Sequence, residues 1–242
     1  SGEILMASVY VYHDFIKLVN NWLFVQTAAA DKSVRTNEVP ESIMGDAIRY
    51  VLGHEVGHCL GLMHNMGASN NVPVEKLRDP AYTQKYGTTP SIMDYARFNY
   101  VAQPGDKERG VKLTPPRFGV YDRYAIKWGY TPIFDKTLKE EEAYMAQWIT
   151  DSLKKSPLYR YGKQQFSTPF GDPRSMNEDL GNDAVKATKY GVKNLKYIMV
   201  NMDKWLKDKD SDMSYRTSLI DDIIQQYALY SIHVASNVSG YY

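Results

Sequence analysis

Apolar residues recur every three or four positions over six stretches of this chain, which is the spacing of one face of an α-helix. The stretches are residues 13–30, 40–61, 121–128, 135–155, 183–207 and 214–236. Pro40 suits the first position of a helix, and Gly61 and Gly129 suit the residue that follows a last turn. The pattern therefore predicts six helices, of which the last two pack together as a helical unit.

Residues 3–12 carry a different pattern, in which β-branched and aromatic side chains are dense and no proline interrupts. This composition predicts a strand, the one strand that the pattern supports. Residues 65–92, including Tyr82 to Thr89, and residues 156–181 are broken by turn-forming residues and are expected to be mostly irregular. The sequence thus predicts a predominantly helical α+β protein.

Composition and charge narrow the class of partner. The 242 residues are 43% hydrophobic and 24% charged, which suffices for one large domain or two small ones, and the net charge is +1. A nearly neutral chain lacks the positive surface that binds nucleic acid, so nucleic acid is not an expected partner. No apolar run approaches the roughly 18 residues that span a bilayer. The single cysteine cannot form an intrachain disulfide.

Residues 54–64 contain three histidines, a glutamate and a glycine at the spacing of a catalytic zinc site. Residues four apart share a helix face, so His54 and His58 can direct their ring nitrogens at one ion. Glu55 lies about 100° further around the helix, where it can reach a zinc-bound water without binding the metal itself. The chain must turn at Gly61 for His64 to reach the same ion, and glycine enters left-handed backbone space without a steric penalty. Three protein ligands and one open position indicate a catalytic zinc.

Residues 91–95, which read Ser-Ile-Met-Asp-Tyr, supply a second motif after the histidines. Together the two motifs resemble those of the metzincin metallopeptidases, over roughly residues 1–130. The resemblance implies that Met93 lies in a tight turn beneath the three histidines and that Tyr95 stabilises an oxyanion near the zinc. Taken alone, Met93 would be a core residue that fills a gap, and Tyr95 is one of 20 tyrosines. Asn65, directly after the third histidine, differs from the residue that marks several branches of the family, so no branch is assigned.

The resemblance also implies an architecture, namely a metzincin-like catalytic core over residues 1–130 and a helical C-terminal subdomain over residues 131–242 that borders the cleft. In metzincins an edge strand pairs with an extended peptide substrate, and residues 4–11 are the candidate here, with a buried central strand as the alternative. The sheet is expected to be reduced or truncated, because metzincins have several strands before the active-site helix. The first residues show neither an initiator methionine nor a signal peptide, so we expect a longer polypeptide upstream.

Residues 117–130 carry a narrower likeness, to large, multidomain, secreted bacterial zinc metalloproteases. The family resemblance is the basis for expecting an extracytoplasmic location, whether periplasmic, at the cell surface or secreted. Within this segment Asp122 has two interpretations. It anchors the Met-turn region, or, more plainly, it is a carboxylate at a helix terminus.

The implied activity is hydrolysis of peptide bonds in a peptide or protein substrate. Zinc held by the three histidines activates a water molecule, Glu55 acts as the general base, and Tyr95 shares the oxyanion with the zinc. Two alternatives stay open: a non-enzymatic peptide-binding module with a vestigial metal site, and a zinc hydrolase of a small amide or ester. The intact Glu55 argues against the first, because a vestigial site has no chemical need for that carboxylate.

Overall fold

The architecture is that of a computed structural model, which describes residues 3–115, 118–166, 168 and 170–240. Within those ranges the chain forms seven α-helices joined by loops and short 3₁₀ turns, and it forms no strand. The helices are α1 (Asp14–Thr27), α2 (Glu41–Cys59), α3 (Pro80–Tyr86), α4 (Val120–Tyr130), α5 (Leu138–Lys155), α6 (Ala184–Leu206) and α7 (Ser214–Ser239).

Six of these helices lie where the apolar periodicity predicts them, and local capping explains several of their ends. Thr137 and Glu140 form a capping box at the start of α5, each side chain accepting a hydrogen bond from the other's backbone N–H. Asp183 caps α6 by accepting from the N–H of Lys186. Helix α4 continues through Gly129 to Tyr130, slightly beyond its predicted end.

Helix α3 corrects one part of the predicted loop over residues 65–92, because Tyr82 to Tyr86 were expected in that loop and are helical. The side chain of Asp79 accepts hydrogen bonds from the N–H groups of Ala81 and Tyr82, and Pro80 occupies the first helical position. The helix ends at Gly87, whose φ of 73° lies in the region that glycine favours. A good cap and a proline at the first position outweigh the loop-like composition of this short segment.

The predicted strand is also absent from the structure. Residues 3–12 adopt neither helix nor strand, and every one of them is exposed. A strand is stable only when a neighbour completes its backbone hydrogen bonds, and no such ladder forms within the described residues. An α+β core with a reduced sheet therefore stays a prediction.

The largest apolar cluster is built by α1 together with α6 and α7. Leu23 and Phe24 of α1 pack among Ile198 of α6 and Leu219 and Tyr230 of α7, all of them buried. The cluster thus draws residues from both sides of the boundary predicted at residue 130, and that boundary also stays a prediction. Helix α2 contacts α1, and both helices contribute residues to the candidate site. Among the described helices, none has the length and apolar character needed to cross a bilayer.

Candidate metal centre

Helix α2 carries the first two histidines of the motif on one face. His54 is buried and His58 half-buried, and their ring centroids lie 4.7 Å apart. This separation follows from the four-residue spacing on a helix. Burial is the main cause that lowers the pKa of His54, so this imidazole is neutral near pH 7 and has a lone pair available for a metal ion.

The turn after α2 brings the third histidine back toward the first two. Gly61 has a φ of 83°, its N–H donates to the carbonyl of His58 at 2.9 Å, and the N–H of Leu62 donates to the carbonyl of Gly57 at 3.0 Å. These two bonds make a Schellman motif, which ends a helix at a glycine and reverses the chain. His64 lies two residues after Leu62 and faces back toward α2.

The three Nε2 atoms converge on one point. His58 Nε2 lies 3.1 Å from His54 Nε2 and 2.9 Å from His64 Nε2, and the remaining pair is 3.2 Å apart. On the other side of each ring, Nδ1 faces an oxygen. For His54 this oxygen is the carbonyl of Ile92 at 2.6 Å, and for His58 it is the carbonyl of Leu62 at 2.9 Å. For His64 it is Oε1 of Gln164 at 2.6 Å.

This arrangement determines where the protons are. A carbonyl oxygen only accepts, so each Nδ1 must carry the hydrogen, and a neutral imidazole then has a bare lone pair on Nε2. Three lone pairs directed at one another repel unless a cation lies between them. Nitrogens bound to a tetrahedral zinc at about 2.0–2.1 Å are about 3.3 Å apart, close to the separations seen here. Within the described residues, these histidines are the one group of three or more His, Cys, Asp or Glu residues placed to hold a metal ion.

Met93 packs against α2 at Gly57, which lies between His54 and His58 in sequence. It is fully buried, and it belongs to a small apolar cluster with Tyr50 and Ile92. A Cβ atom added at Gly57 would lie 2.4 Å from Met93 Sδ, so the absence of a side chain at Gly57 is what lets the methionine approach the helix. The structure therefore brings Met93 into contact with the helix that carries His54 and His58, and its place beneath the histidines stays a prediction.

Asp122 of α4 holds the loop that carries Met93. Its carboxylate accepts from Ser91 Oγ at 2.6 Å and from the N–H of Ile92 at 2.9 Å, and it also accepts from the N–H of Gly119 at 2.6 Å, which caps α4. Both interpretations of Asp122 thus hold at once. Since the carbonyl of Ile92 accepts from His54, this carboxylate supports the candidate metal centre through one residue. The likeness over residues 117–130 begins at Arg117, which lies outside the described residues.

Glu55 and Tyr95 line the same cavity as His54 and His58. The ring of Tyr95 lies 4.6 Å from that of His64 and 5.4 Å from that of His54. Burial, reinforced by the negative charge of Glu55, raises the pKa of Tyr95, so its hydroxyl keeps its proton and can donate a hydrogen bond at neutral pH. The site therefore offers a carboxylate and a phenol beside the converging nitrogens.

The cavity has a volume of about 970 Å³. It is lined by residues 6–12, by Phe15, Leu18 and Trp22 of α1, and by α2 together with Tyr95. Met6, Tyr10 and Tyr12 are each at least 80% exposed. An apolar surface of this kind beside reactive groups is typical of a binding site.

Sequence reasoning missed Gln164 and the function of Asn65. The Asn65 side chain accepts from the N–H of Gly162 at 2.8 Å and donates to the carbonyl of Arg160 at 3.0 Å. Both contacts join residues nearly one hundred positions apart, and no local sequence pattern predicts contacts of this kind. The only available signal was the position of Asn65 directly after the third histidine.

Residues 36–242 match the model of a protein family described as Met-zincin. The matched range includes α2, the Met93 loop and all of the helices that follow. No curated protein and no solved structure matches the chain.

Proposed function

This chain belongs to the Met-zincin family, and on that premise we propose that it is a zinc-dependent endopeptidase. The observation that carries the proposal is the convergence of three Nε2 atoms, 2.9–3.2 Å apart, at the edge of a large cavity. Three neutral imidazoles are the ligand set of a hydrolytic zinc, and they leave one coordination position open. When bound, zinc supplies Lewis acidity at that position.

In the proposed reaction Glu55 transfers protons and Tyr95 stabilises negative charge. Glu55 accepts a proton from the attacking water as the water oxygen bonds to the scissile carbonyl carbon, and it returns this proton to the amine nitrogen as the C–N bond breaks. Tyr95 donates a hydrogen bond to the oxyanion that develops on the carbonyl. Each role needs a group that is in the required state at neutral pH, and the raised pKa of Tyr95 keeps its hydroxyl protonated.

A polypeptide is the substrate that best fits the cavity. Residues 6–12 form one wall with exposed apolar side chains, and a peptide bound between this wall and α2 would pass in front of Glu55. Recognition along such a wall depends on backbone and apolar contacts more than on one side chain. An extracytoplasmic location forms part of the proposal on the strength of the family resemblance.

Glu55→Gln tests the mechanism. The variant is expected to keep one zinc per chain by elemental analysis, because Glu55 is not a ligand, while cleavage of a denatured protein falls by at least about 10²–10⁴-fold. Glu41→Gln, at the exposed start of the same helix, is the matched control and should cleave like the parent. Cleavage by the Glu55 variant at the parent rate would refute the proposed mechanism.

The same assay separates the two other functions. A non-enzymatic binding module would retain peptides at the cavity without producing fragments, even with zinc bound. A hydrolase of small molecules would turn over an activated ester or amide and leave the denatured protein intact. An endopeptidase produces internal fragments whose new termini can be sequenced.

A further inference from the structure

The three candidate ligands differ in what holds their Nδ1 atoms. Backbone carbonyls of Ile92 and Leu62 hold His54 and His58, and both carbonyls lie within or next to the two sequence motifs. His64 is held by a side chain, Oε1 of Gln164 at 2.6 Å, from a loop one hundred residues later. The third ligand is therefore the one whose orientation depends on a distant side chain.

Gln164 lies on a backbone segment that hydrogen bonds hold in place both before and after this residue. Before it, Asn65 bridges the carbonyl of Arg160 and the N–H of Gly162, and the N–H of Gly67 donates to the carbonyl of Gly162 at 3.3 Å. The two glycines approach so closely that a Cβ atom on Gly162 would lie 2.6 Å from the Cα of Gly67. This part of the 156–181 loop is thus tied to the chain that immediately follows His64.

The residue after Gln164 fixes the other side. Gln165 donates through Nε2 to the carbonyl of Asp172 at 2.8 Å and accepts through Oε1 from the N–H of the same residue, also at 2.8 Å. Gln164 itself is half-buried. A side chain held between two anchored neighbours has little freedom to leave its histidine, which is the condition for a preorganised ligand support.

We propose that Gln164 is a positioning residue for the metal centre. By accepting the hydrogen of His64 Nδ1, it keeps the tautomer that leaves the lone pair on Nε2, and it sets the basicity of that ligand. Through Gln164 the segment that follows α5 contacts His64, one of the proposed zinc ligands. The inference rests on the proposed zinc site, because without an ion the tautomer has no consequence.

The chemistry predicts opposite effects for two variants of similar size. Gln164→Met removes the acceptor, so His64 can place its proton on Nε2 and must give up that tautomer to bind zinc. Gln164→Glu keeps an acceptor and adds a negative charge, which strengthens the hydrogen bond and makes Nε2 a better donor to the metal. A residue with a merely structural role would give losses of similar size in both.

The test is the zinc dissociation constant of the purified chain, measured by competition with a chromophoric chelator at fixed pH. We expect Gln164→Met to bind zinc about 10–100-fold more weakly and Gln164→Glu to bind at least as tightly as the parent. Lys163→Met, at the exposed neighbouring position, is the matched control and should not change affinity. Thermal unfolding of the metal-free proteins should agree for the parent and both Gln164 variants.

Nitrogen-15 NMR of the metal-free protein gives a second readout, since it reports the tautomer of His64 directly. The parent should show the proton on Nδ1, and Gln164→Met should shift it toward Nε2. An unchanged affinity in Gln164→Met, or an equal loss in both variants, overturns the assignment of Gln164 while leaving the zinc site intact. A parent chain that binds no zinc overturns the site and this inference together.

Discussion

At the scale of single residues, burial decides a protonation state at Asp94, which lies in the Met93 loop and is fully buried. Its carboxylate accepts from the N–H of Ser69 at 2.7 Å and from Thr89 Oγ1 at 3.0 Å. Burial outweighs these two bonds and raises the pKa of Asp94 to about 8.

A raised pKa in the folded state makes stability depend on pH. The folded chain holds the Asp94 proton from its ordinary value of 3.8 up to about 8, whereas the unfolded chain loses it near 3.8. The stabilisation is therefore complete below pH 3.8 and is lost as the pH rises toward about 8, with a slope of at most about 1.4 kcal/mol per pH unit from this group.

We expect Asp94→Asn to reduce that slope, because an amide cannot titrate while its oxygen can still accept the two hydrogen bonds. Urea unfolding at several pH values between 4 and 8 measures it. A remaining slope is expected from Asp179, a buried carboxyl whose pKa burial also raises. Asp135→Asn, at an exposed position, should leave the parent slope. A slope as steep in Asp94→Asn as in the parent would show that Asp94 is ionised.

At the scale of elements, helix α2 and the Met93 loop form one unit. The helix supplies two histidines, and the loop supplies the Ile92 carbonyl that orients the first of them. Their contact depends on Gly57, which leaves room for Met93 Sδ. Asp122 of α4 fixes the loop from its far side.

Two identical substitutions on α2 are expected to have opposite effects on stability. Gly57→Ala places a Cβ atom 2.4 Å from the buried Met93 Sδ, so we expect a loss of about 1–3 kcal/mol from overpacking. Gly45→Ala meets nothing closer than Arg49 Nη1 at 3.5 Å and should stabilise the helix by about 0.5–1 kcal/mol. Urea unfolding compares them, and a gain in both variants would contradict close packing of Met93 against α2.

Over the whole molecule, the two halves of the chain share one core. Asn20 Nδ2 of α1 donates to Tyr215 OH at 2.8 Å, and Asn21 Nδ2 donates to Asp222 Oδ2 at 2.8 Å, so polar bonds accompany the apolar contact between α1 and α7. Asn194 of α6 similarly donates to the carbonyl of Tyr100 at 2.8 Å. Helices α6 and α7 therefore cover apolar surface of α1.

A fragment that ends at residue 130 is accordingly expected not to fold. It would expose Leu23 and Phe24, which are buried in the full chain, and it would lack Gln164. Circular dichroism during urea titration should show a cooperative transition for residues 1–242 and none for the fragment. Cooperative unfolding of the fragment with zinc bound would instead establish residues 1–130 as an autonomous catalytic core.

Much of the candidate site could be predicted because its determinants are local. The four-residue spacing of His54 and His58, and the glycine that lets His64 return, depend on helix geometry and on the backbone freedom of one residue. The apolar periodicity placed six of the seven described helices for the same reason. The periodicity did not predict α3, because a helix of seven residues is too short to show a repeating apolar face. This helix begins where the side chain of Asp79 caps it.

What only the tertiary structure decided are the contacts between residues far apart in sequence. The partner of His64 is Gln164, the room for Met93 comes from Gly57, and Asp122 serves both its own helix and the Met93 loop. The strand expected over residues 3–12 depends on a neighbour as well, and none pairs with it among the described residues. The sequence by itself determined which side chains meet at the candidate metal centre, because a helix and one turn suffice to gather them. The orientation of His54 and His64 was decided by folding, because distant segments supply the acceptors for their Nδ1–H groups, whereas His58 donates to the carbonyl of Leu62, four residues on.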